Sequence, residues 1–566
     1  MLSPTVDSVG DRLRQYVAVP SDVSPVSASM AVDIRTFPWI RRLASDYAFA
    51  YANVSPFFAG DPATPAAWAD TITRSQAYAR QPAEIARILA AQQELRGAPA
   101  AARASAARLA DPATRVVITG QQAGVFGGPL FTLLKALTAL QLARRTERDL
   151  KVPVVTVFWV DAEDHDWPEV RSCTVLDAEF QPRTVTLADL EGAGELPIAQ
   201  LALDARVEDT IAELASSLHQ TEFTSQILTD LRAAWKPGTG MARAFATWIE
   251  TLLGPHGLVV FESADPNAKP LAADVFATEL SSPGRTAALA AQAGEALAAR
   301  GHAPQVVPNA DSVSLFRLNG GRTPIKKQGD QLVIGETTHS SEELAREATG
   351  HPERFSPNVL LRPLVQDTLF PTICYVPGPS ELAYLGQLRG VYDAFGVPMP
   401  LFFPRTTATL LDSGATRFLE KYAVPFFDLR TPDESALNKL LEAQLPASVE
   451  ESLRDAATQT QQAMARVVDA LPSLDPTLAG AAKTTLGKME HELRSLHSKV
   501  IHAAKKRDET LRRQFVRAQA QAFPHGHPQE RTLGVVYFLN KYGPGLVDLL
   551  LEELPVDPGQ HWLITL

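Results

Sequence analysis

Apolar residues follow two rhythms along this chain, and the change between them divides it. Short, unbroken apolar runs rich in β-branched side chains occur at 115–119, 152–160, 257–261, 371–376 and 400–403. Such runs mark strands buried on both faces of a parallel sheet. Helix-forming stretches lie among them: 66–80, 82–95, 100–110, 130–145, 207–218, 224–235, 241–253, 286–300 and 379–395. The strand at 115–119, the helix at 130–145 and the strand at 152–160 make a β-α-β unit. Its crossover is long enough for a parallel pair, right-handed by default. The alternation predicts an α/β protein with a parallel sheet. Residues 171–203 read as β-rich. Runs at 312–318 and 331–335 flank Asn319-Gly320-Gly321, which predicts a hairpin.

Past residue 446 the rhythm becomes helical throughout. Val449, Leu453, Ala456, Thr460, Ala463, Val467 and Leu471 recur at steps of three and four, as do Leu486, Met489, Leu493, Leu496, Val500, Ala503, Arg507 and Leu511. That spacing predicts a narrow apolar seam on each of two helices, the pattern of a coiled coil. The prolines at 472 and 476 make a turn, so the helices are antiparallel. The second helix is the longer, and its unmatched seam needs cover from the body or from a second copy. The division predicted is a core over 1–445 with inserted segments at about 171–350, a helical domain over 446–523, and a tail over 524–566 returning to the core.

A length of 566 residues fits about three or four structural units at ~150 residues each. Apolar content of 45% and charged content of 21% describe a globular chain. A net charge of −11 disfavours nucleic acid as a partner, though not a local basic pocket. No apolar run approaches the ~20 residues that span a bilayer, and the first twenty residues lack a signal-peptide core. Two cysteines make neither a disulfide framework nor a zinc quartet. The expected compartment is the cytoplasm, with no membrane partner.

Chemistry concentrates where two strands end. After the first comes a loop holding Gly120, Gln121, Gln122, Gly124, Gly127 and Gly128, with Pro129 at the helix start. Glycines admit a ligand close to backbone N–H groups, and the helix start adds its positive dipole end. A plain turn needs fewer of them, so an anion or carboxylate cradle is expected, although no standard nucleotide fingerprint is present. After the second strand stand Asp161, Glu163, Asp164, His165 and Asp166. An imidazole among carboxylates can serve as acid, base or metal ligand. Helix capping explains two such acids, not five groups in six positions. Carboxylates with substrate oxygens are compatible with Mg²⁺, but whether a metal binds is open. A third group comprises Arg362, Gln366 and Asp367, then Gly378 and Glu381, with Arg405 at a further strand end. Arg362 and Arg405 offer forks for anions, while Glu381 could take a proton, bind an amine or cap its helix. Lys326 and Lys327 read as a solvated edge, and Cys374 as core.

These motifs together resemble the bacillithiol-biosynthesis family of cysteine-adding enzymes (BshC). The matching pieces are ITGQQAGVFGGPLFTLLKA, FWVDAEDHDWPEV, SPNVLLRPLVQDTLFPT, YVPGPSELAY, FGVPMPLFFPR and PQERTLGVVYFLNKYGPGLVD, in family order from Ile118 to Asp548. The first 35 or so residues, 178–203 and 280–311 carry no matching piece. The resemblance implies a Rossmann-like core with inserted connecting segments and a C-terminal coiled coil that makes a homodimer. It implies a reaction joining L-cysteine to the amine of glucosaminyl-malate, giving bacillithiol. A carboxylate and an amine do not condense usefully in neutral water, so ATP is expected to activate the cysteine carboxylate. On this reading the catalytic residues are His165 with Asp164 or Asp166. Gly120, Gln121, Gln122, Gly124, Gly127, Glu163, Arg362, Gln366, Glu381 and Arg405 bind substrate, and Lys541 and Tyr542 contribute to a nucleotide site. Two rival readings are an adenylating or nucleotidyl-transferring enzyme acting on another acid, and a non-catalytic scaffold or nucleotide-binding module.

Overall fold

The computed structural model describes residues 30–566 except Ala310, Pro432, Pro446, Pro476 and Asp508. The expectations for the first twenty residues and for Pro476 lie outside the described residues. The chain forms two compact units, one of residues up to Thr409 with Glu530–Ile564, the other of Leu410–Gln529 with Thr565–Leu566. The helical unit thus begins some way ahead of residue 446, because it includes the helices Ser413–Tyr422 and Ser435–Ala443.

The first unit is built on a parallel sheet of five strands. Across the sheet they run Leu401–Phe402, Thr372–Tyr375, Arg115–Gln122, Val154–Asp161 and Val259–Glu262. Counted along the chain the order is fifth, fourth, first, second, third, the doubly wound order of a Rossmann-like fold. The winding direction reverses between Arg115–Gln122 and Thr372–Tyr375, and ligands bind beyond strand ends at such a switch point. The first strand runs three residues further than the apolar pattern suggests. Gly120, Gln121 and Gln122 stay in register with Trp159, Val160 and Asp161, so both polar strand ends sit side by side. Helix Leu130–Leu150 follows, with thirteen buried residues, and stops at Lys151 in the left-handed conformation.

Three local expectations change. Residues 171–203 hold one hairpin, Ser172–Leu176 with Pro182–Thr186, and a short turn at Ile198–Gln200. Gly192, Gly194 and Pro197 leave little backbone free for strand pairing. The Asn319-Gly320-Gly321 turn joins Ser312–Leu318 to Arg322–Gln328, not to Gln331–Ile334, which is the next strand in an antiparallel sheet. The helix expected at 379–395 is broken into Leu382–Leu385 and Arg389–Phe395. Between them Gln387 is fully buried, its amide donating to the carbonyls of Ala290 and Val306 at 3.1 and 2.8 Å.

In the second unit, Ala447–Ala470 and Leu478–Arg507 pack antiparallel. Gln461 donates to Glu490 at 2.8 Å, and His497 stands 3.4 Å from Glu450. The seam differs in detail from the sequence spacing. Met464 and Val468 are half-buried where Ala463 and Val467 were expected, and Met489 and Leu496 face outward. A straight helix drifts about 20° per heptad against a strict seven-residue repeat, so neighbouring positions take over along its length. The second predicted helix is divided, and its last part, Glu509–Ala522, packs within its own unit: Phe515 meets Phe418, and Phe523, just past its end, meets Phe426. No helix among the described residues is long and apolar enough to cross a membrane.

Candidate functional site

At the switch point lies a cavity of about 570 Å³, of the size that holds small ligands. Its wall includes Gly120, Gln121 and Gln122 from the first strand end, and Asp161, Glu163, Asp164 and Glu169 beyond the second. Arg362, Tyr375, Gly378, Glu381 and Tyr384 come from the far side, and Phe131, Lys135, Arg405 and Arg531 close one corner. Phe316, Arg322 and Asn358 reach in from the antiparallel sheet and its exit.

Acids gather at the second strand end and arginines at one corner, while ion pairs link cations and carboxylates within both groups. On the acidic side Gln122 donates to Asp164 at 2.6 Å, and Arg322 reaches the same carboxylate at 3.4 Å. Arg322 is itself stacked on Phe316 and donates to the Pro357 carbonyl at 2.7 Å. Glu163 is buried against Lys269, which also donates to the carbonyl of Phe355. Burial raises the Asp161 carboxyl; Arg362, whose Nε lies 3.7 Å away, offsets part of that, and Asp164 adds to it. Burial likewise raises Glu169, and Gln122 opposes the rise.

Lys135 joins the two lips of the crevice. Its ammonium donates to the Gly120 carbonyl at 2.9 Å and to Gln121 at 3.2 Å, and pairs with Glu381 at 2.7 Å. Burial lowers its pKa, and Glu381 opposes the fall. Glu381 also accepts from the Gly378 N–H and, at 3.3 Å, from Tyr375. A loop N–H, a phenol and an ion pair therefore occupy this carboxylate, which makes no side-chain cap on its own helix. Arg362 donates to Tyr384 at 3.2 Å and to Gln366 at 3.4 Å. Burial opposes its charge, yet Tyr384, Tyr375 and Asp161 hold the guanidinium firmly protonated.

At the basic corner Arg405 and Arg531 both lie over the ring of Phe131, 5.6 and 5.9 Å from its centroid. Arg405 is fixed by a two-pronged pair with Glu530 at 2.7 and 2.9 Å. Burial would raise Glu530, but Arg405 outweighs it and keeps the carboxylate ionised. The Nε of Arg405 is buried without a hydrogen bond among the described residues.

Several residues singled out by the sequence stand elsewhere. Gly124 and Gly127 do not line the cavity. The N–H groups of Gly124, Gly127 and Gly128 donate to carbonyls of the loop itself, and that of Leu130 to Leu533. The loop is therefore a packed turn, not a ring of free donors. Gly127 has φ +98°, and a Cβ there would strike the Trp248 indole at 2.8 Å. The turn buries Phe126 against Trp235. His165 lies outside the wall, half exposed, with Nδ1 3.5 Å from Asp164. Asp166 caps the helix Trp167–Val170. Gln366 is buried behind Arg362 and donates to Asp367. Lys541 and Tyr542 end the helix Val535–Tyr542 away from the wall, the Lys541 ammonium 5.6 Å from the ring of Phe180 and 5.1 Å from that of Tyr542.

The sequence reading assigned no role to Lys135, Arg322, Tyr375, Tyr384 or Arg531, although both tyrosines flank Gly378 and Glu381 of the third polar group. Lys135 left a trace: a lone cation in Leu-Leu-Lys-Ala-Leu, inside an apolar helix, has to find a buried partner. Both thiols are buried, and burial pushes Cys173 up to about 12 and Cys374 higher still, so neither is poised as a nucleophile. Among the described residues no cluster of three or more His, Cys, Asp or Glu side chains could hold a metal ion.

Comparison with known proteins places this architecture. The family model described as the N-terminal Rossmann-like domain of the bacillithiol biosynthesis protein BshC matches residues 30–406, and that of its C-terminal coiled-coil domain matches 408–566. A Salinibacter ruber protein named "Putative cysteine ligase BshC" is 34% identical over 92% of this chain and 95% of its own length. Proteins of the same name from Koribacter versatilis and Symbiobacterium thermophilum are 35% and 34% identical, over 79% and 85% of this chain and 83% and 89% of theirs.

Proposed function

Because this chain belongs to the BshC family of bacillithiol biosynthesis, we propose that it is a cysteine ligase that joins L-cysteine to the amine of glucosaminyl-malate with consumption of ATP. The observation that carries this reading is the division of charge across the switch-point cavity. An amine-bearing substrate with carboxylates needs an acidic side for its nitrogen and a basic side for its acids, and both are present. Asp161 and Asp164 receive the amine. Arg405, Arg531 and Lys135 offset carboxylate or phosphate charge, and Arg362 sits between the two sides.

ATP enters as a co-substrate whose cleavage drives amide formation. Its Mg²⁺ would arrive with the phosphates, in keeping with the small share that protein ligands usually take in binding this ion. The cation of Lys541 among Phe180, Tyr537 and Tyr542 offers stacking faces for a nucleotide base. His165, beside Asp164 at 3.5 Å, can relay protons between that carboxylate and solvent. Two buried free thiols suit a reducing, cytoplasmic setting.

Purified protein incubated with glucosaminyl-malate, L-cysteine and Mg-ATP should yield bacillithiol by mass spectrometry, and none when ATP is omitted. Pyrophosphate exchange with other acids but not cysteine would favour an adenylating enzyme of different substrate. We also propose a homodimer through the helical unit, where Val467, Met489 and Leu496 are each more than two-fifths exposed. Sedimentation should give twice the chain mass, and Met489→Glu with Leu496→Glu should return it to one.

A further inference from the structure

We propose that Asp161 is the catalytic base of this site, taking the proton that the attacking amine must lose as the amide forms. The inference rests on the ligase reading above. Three of the four other carboxylates on the cavity wall are committed to protein donors, and the fourth, Glu169, is exposed to solvent. Glu163 holds Lys269. Asp164 accepts from Gln122, from the N–H of His165 and from Arg322. Glu163, Asp164 and Glu381 are thus occupied, the last accepting from Gly378 and Tyr375 and pairing with Lys135. Asp161 differs. Among the described residues no hydrogen bond reaches its carboxylate, and Arg362 at 3.7 Å is too far to donate one. A carboxylate inside a hydrogen-bonded network loses accepted bonds on protonation, and an uncommitted one does not.

Position agrees with this. Asp161 ends the second core strand, directly opposite Gln122, and its side chain is 28% exposed toward the cavity. The charged groups around it are Arg362, Asp164, Arg322 and Glu163. Burial, only partly offset by Arg362, raises its carboxyl toward the pH at which a base works best. His165, by contrast, lies outside the wall with its imidazole 44% exposed.

The step balances with an activated acyl donor, a mixed carboxylic–phosphoric anhydride of cysteine. The lone pair of the neutral amine attacks the acyl carbon, and a C–N bond forms. The bond from that carbon to the phosphate oxygen breaks, and its electron pair leaves with the phosphate. The nitrogen proton passes to Asp161 and then to water, and nothing is oxidised or reduced.

The test uses the full chain with Asp161→Asn, Asp161→Glu and His165→Ala, followed through steady-state kinetics in glucosaminyl-malate across roughly pH 5 to 9. Asp161→Asn should lower kcat about 100-fold or more, change KM by no more than about threefold, and abolish the fall of kcat at acid pH. Asp161→Glu should restore part of kcat and a displaced acid limb. A raised carboxyl opposes folding once ionised, so Asp161→Asn should melt no lower than wild type at neutral pH, which separates lost chemistry from lost fold. Asp161→Asn with more than roughly a tenth of wild-type kcat, or with its acid limb intact, overturns the inference, as does His165→Ala removing that limb while Asp161→Asn keeps it. Wild-type protein giving no ATP-dependent product overturns the ligase reading itself, a result distinguishable from an active wild type beside an unaffected Asp161→Asn.

Discussion

Single atoms decide how the wall of the site is held. Gly534 meets Pro129 and Thr174 through backbone pairing, and a Cβ placed on it would lie 2.3 Å from the Cys173 sulfur. Its next neighbours are at ordinary contact distance, 3.6 and 3.7 Å, so the clash is with one atom. Gly534→Ala should therefore destabilise the protein by about 1–3 kcal/mol, as overpacking does. Cys173→Ala removes the sulfur, and the double variant should recover most of that loss. Denaturant midpoints of the four proteins measure the coupling; an additive result would place the strain elsewhere. This contact also explains a signal that sequence could not deliver. The glycines after the first strand promised a ligand cradle, but Gly127 and Gly534 are glycine because neighbouring side chains leave no room for more.

Among elements, strands were legible and their partners were not. Runs of Val and Ile announce a doubly covered sheet wherever they occur, and all five core strands lie within or beside such runs. The strand Arg322–Gln328 was missed because its burial pattern offers one covered residue, Ile325, between Pro324 and two exposed lysines. The sequence shows that Lys135 needs a buried partner but not which one, because Glu381 lies far along the chain. The strand Gln560–Thr565, paired with Met30–Asp33, carries a titration of its own. His561 is buried, each ring nitrogen within 3.0 Å of the Thr407 or Thr409 hydroxyl, and burial lowers its pKa to about 4. The unfolded chain binds this proton first as pH falls below ~6.5, so stability present above that value is lost progressively down to about 4. The loss is on the order of 3 kcal/mol. His561→Gln cannot charge, and urea melts from pH 7 to 4 should show a shallower decline for it than for wild type.

At the scale of the whole molecule, the helical unit is spliced into the chain between Thr409 and Glu530. Arg405 precedes the departure and Glu530 marks the return, and the two form one buried ion pair inside the first unit. Glu530→Ala strands a buried guanidinium and should cost about 3–5 kcal/mol. Its melting temperature, compared with that of Glu530→Gln, checks whether charge or packing carries the loss. The two cavity corners depend differently on this pair. Arg405 should be displaced by Glu530→Ala, whereas Arg362, held by Tyr384 and Gln366, should stay.

That ion pair has a consequence for how the chain can be re-engineered. Since the exit and re-entry points are buckled together within the α/β unit, a short flexible bridge from residue 409 to residue 530 has little distance to cover. Excision of the intervening segment would leave the α/β unit, in which ligand binding could be measured apart from the helices.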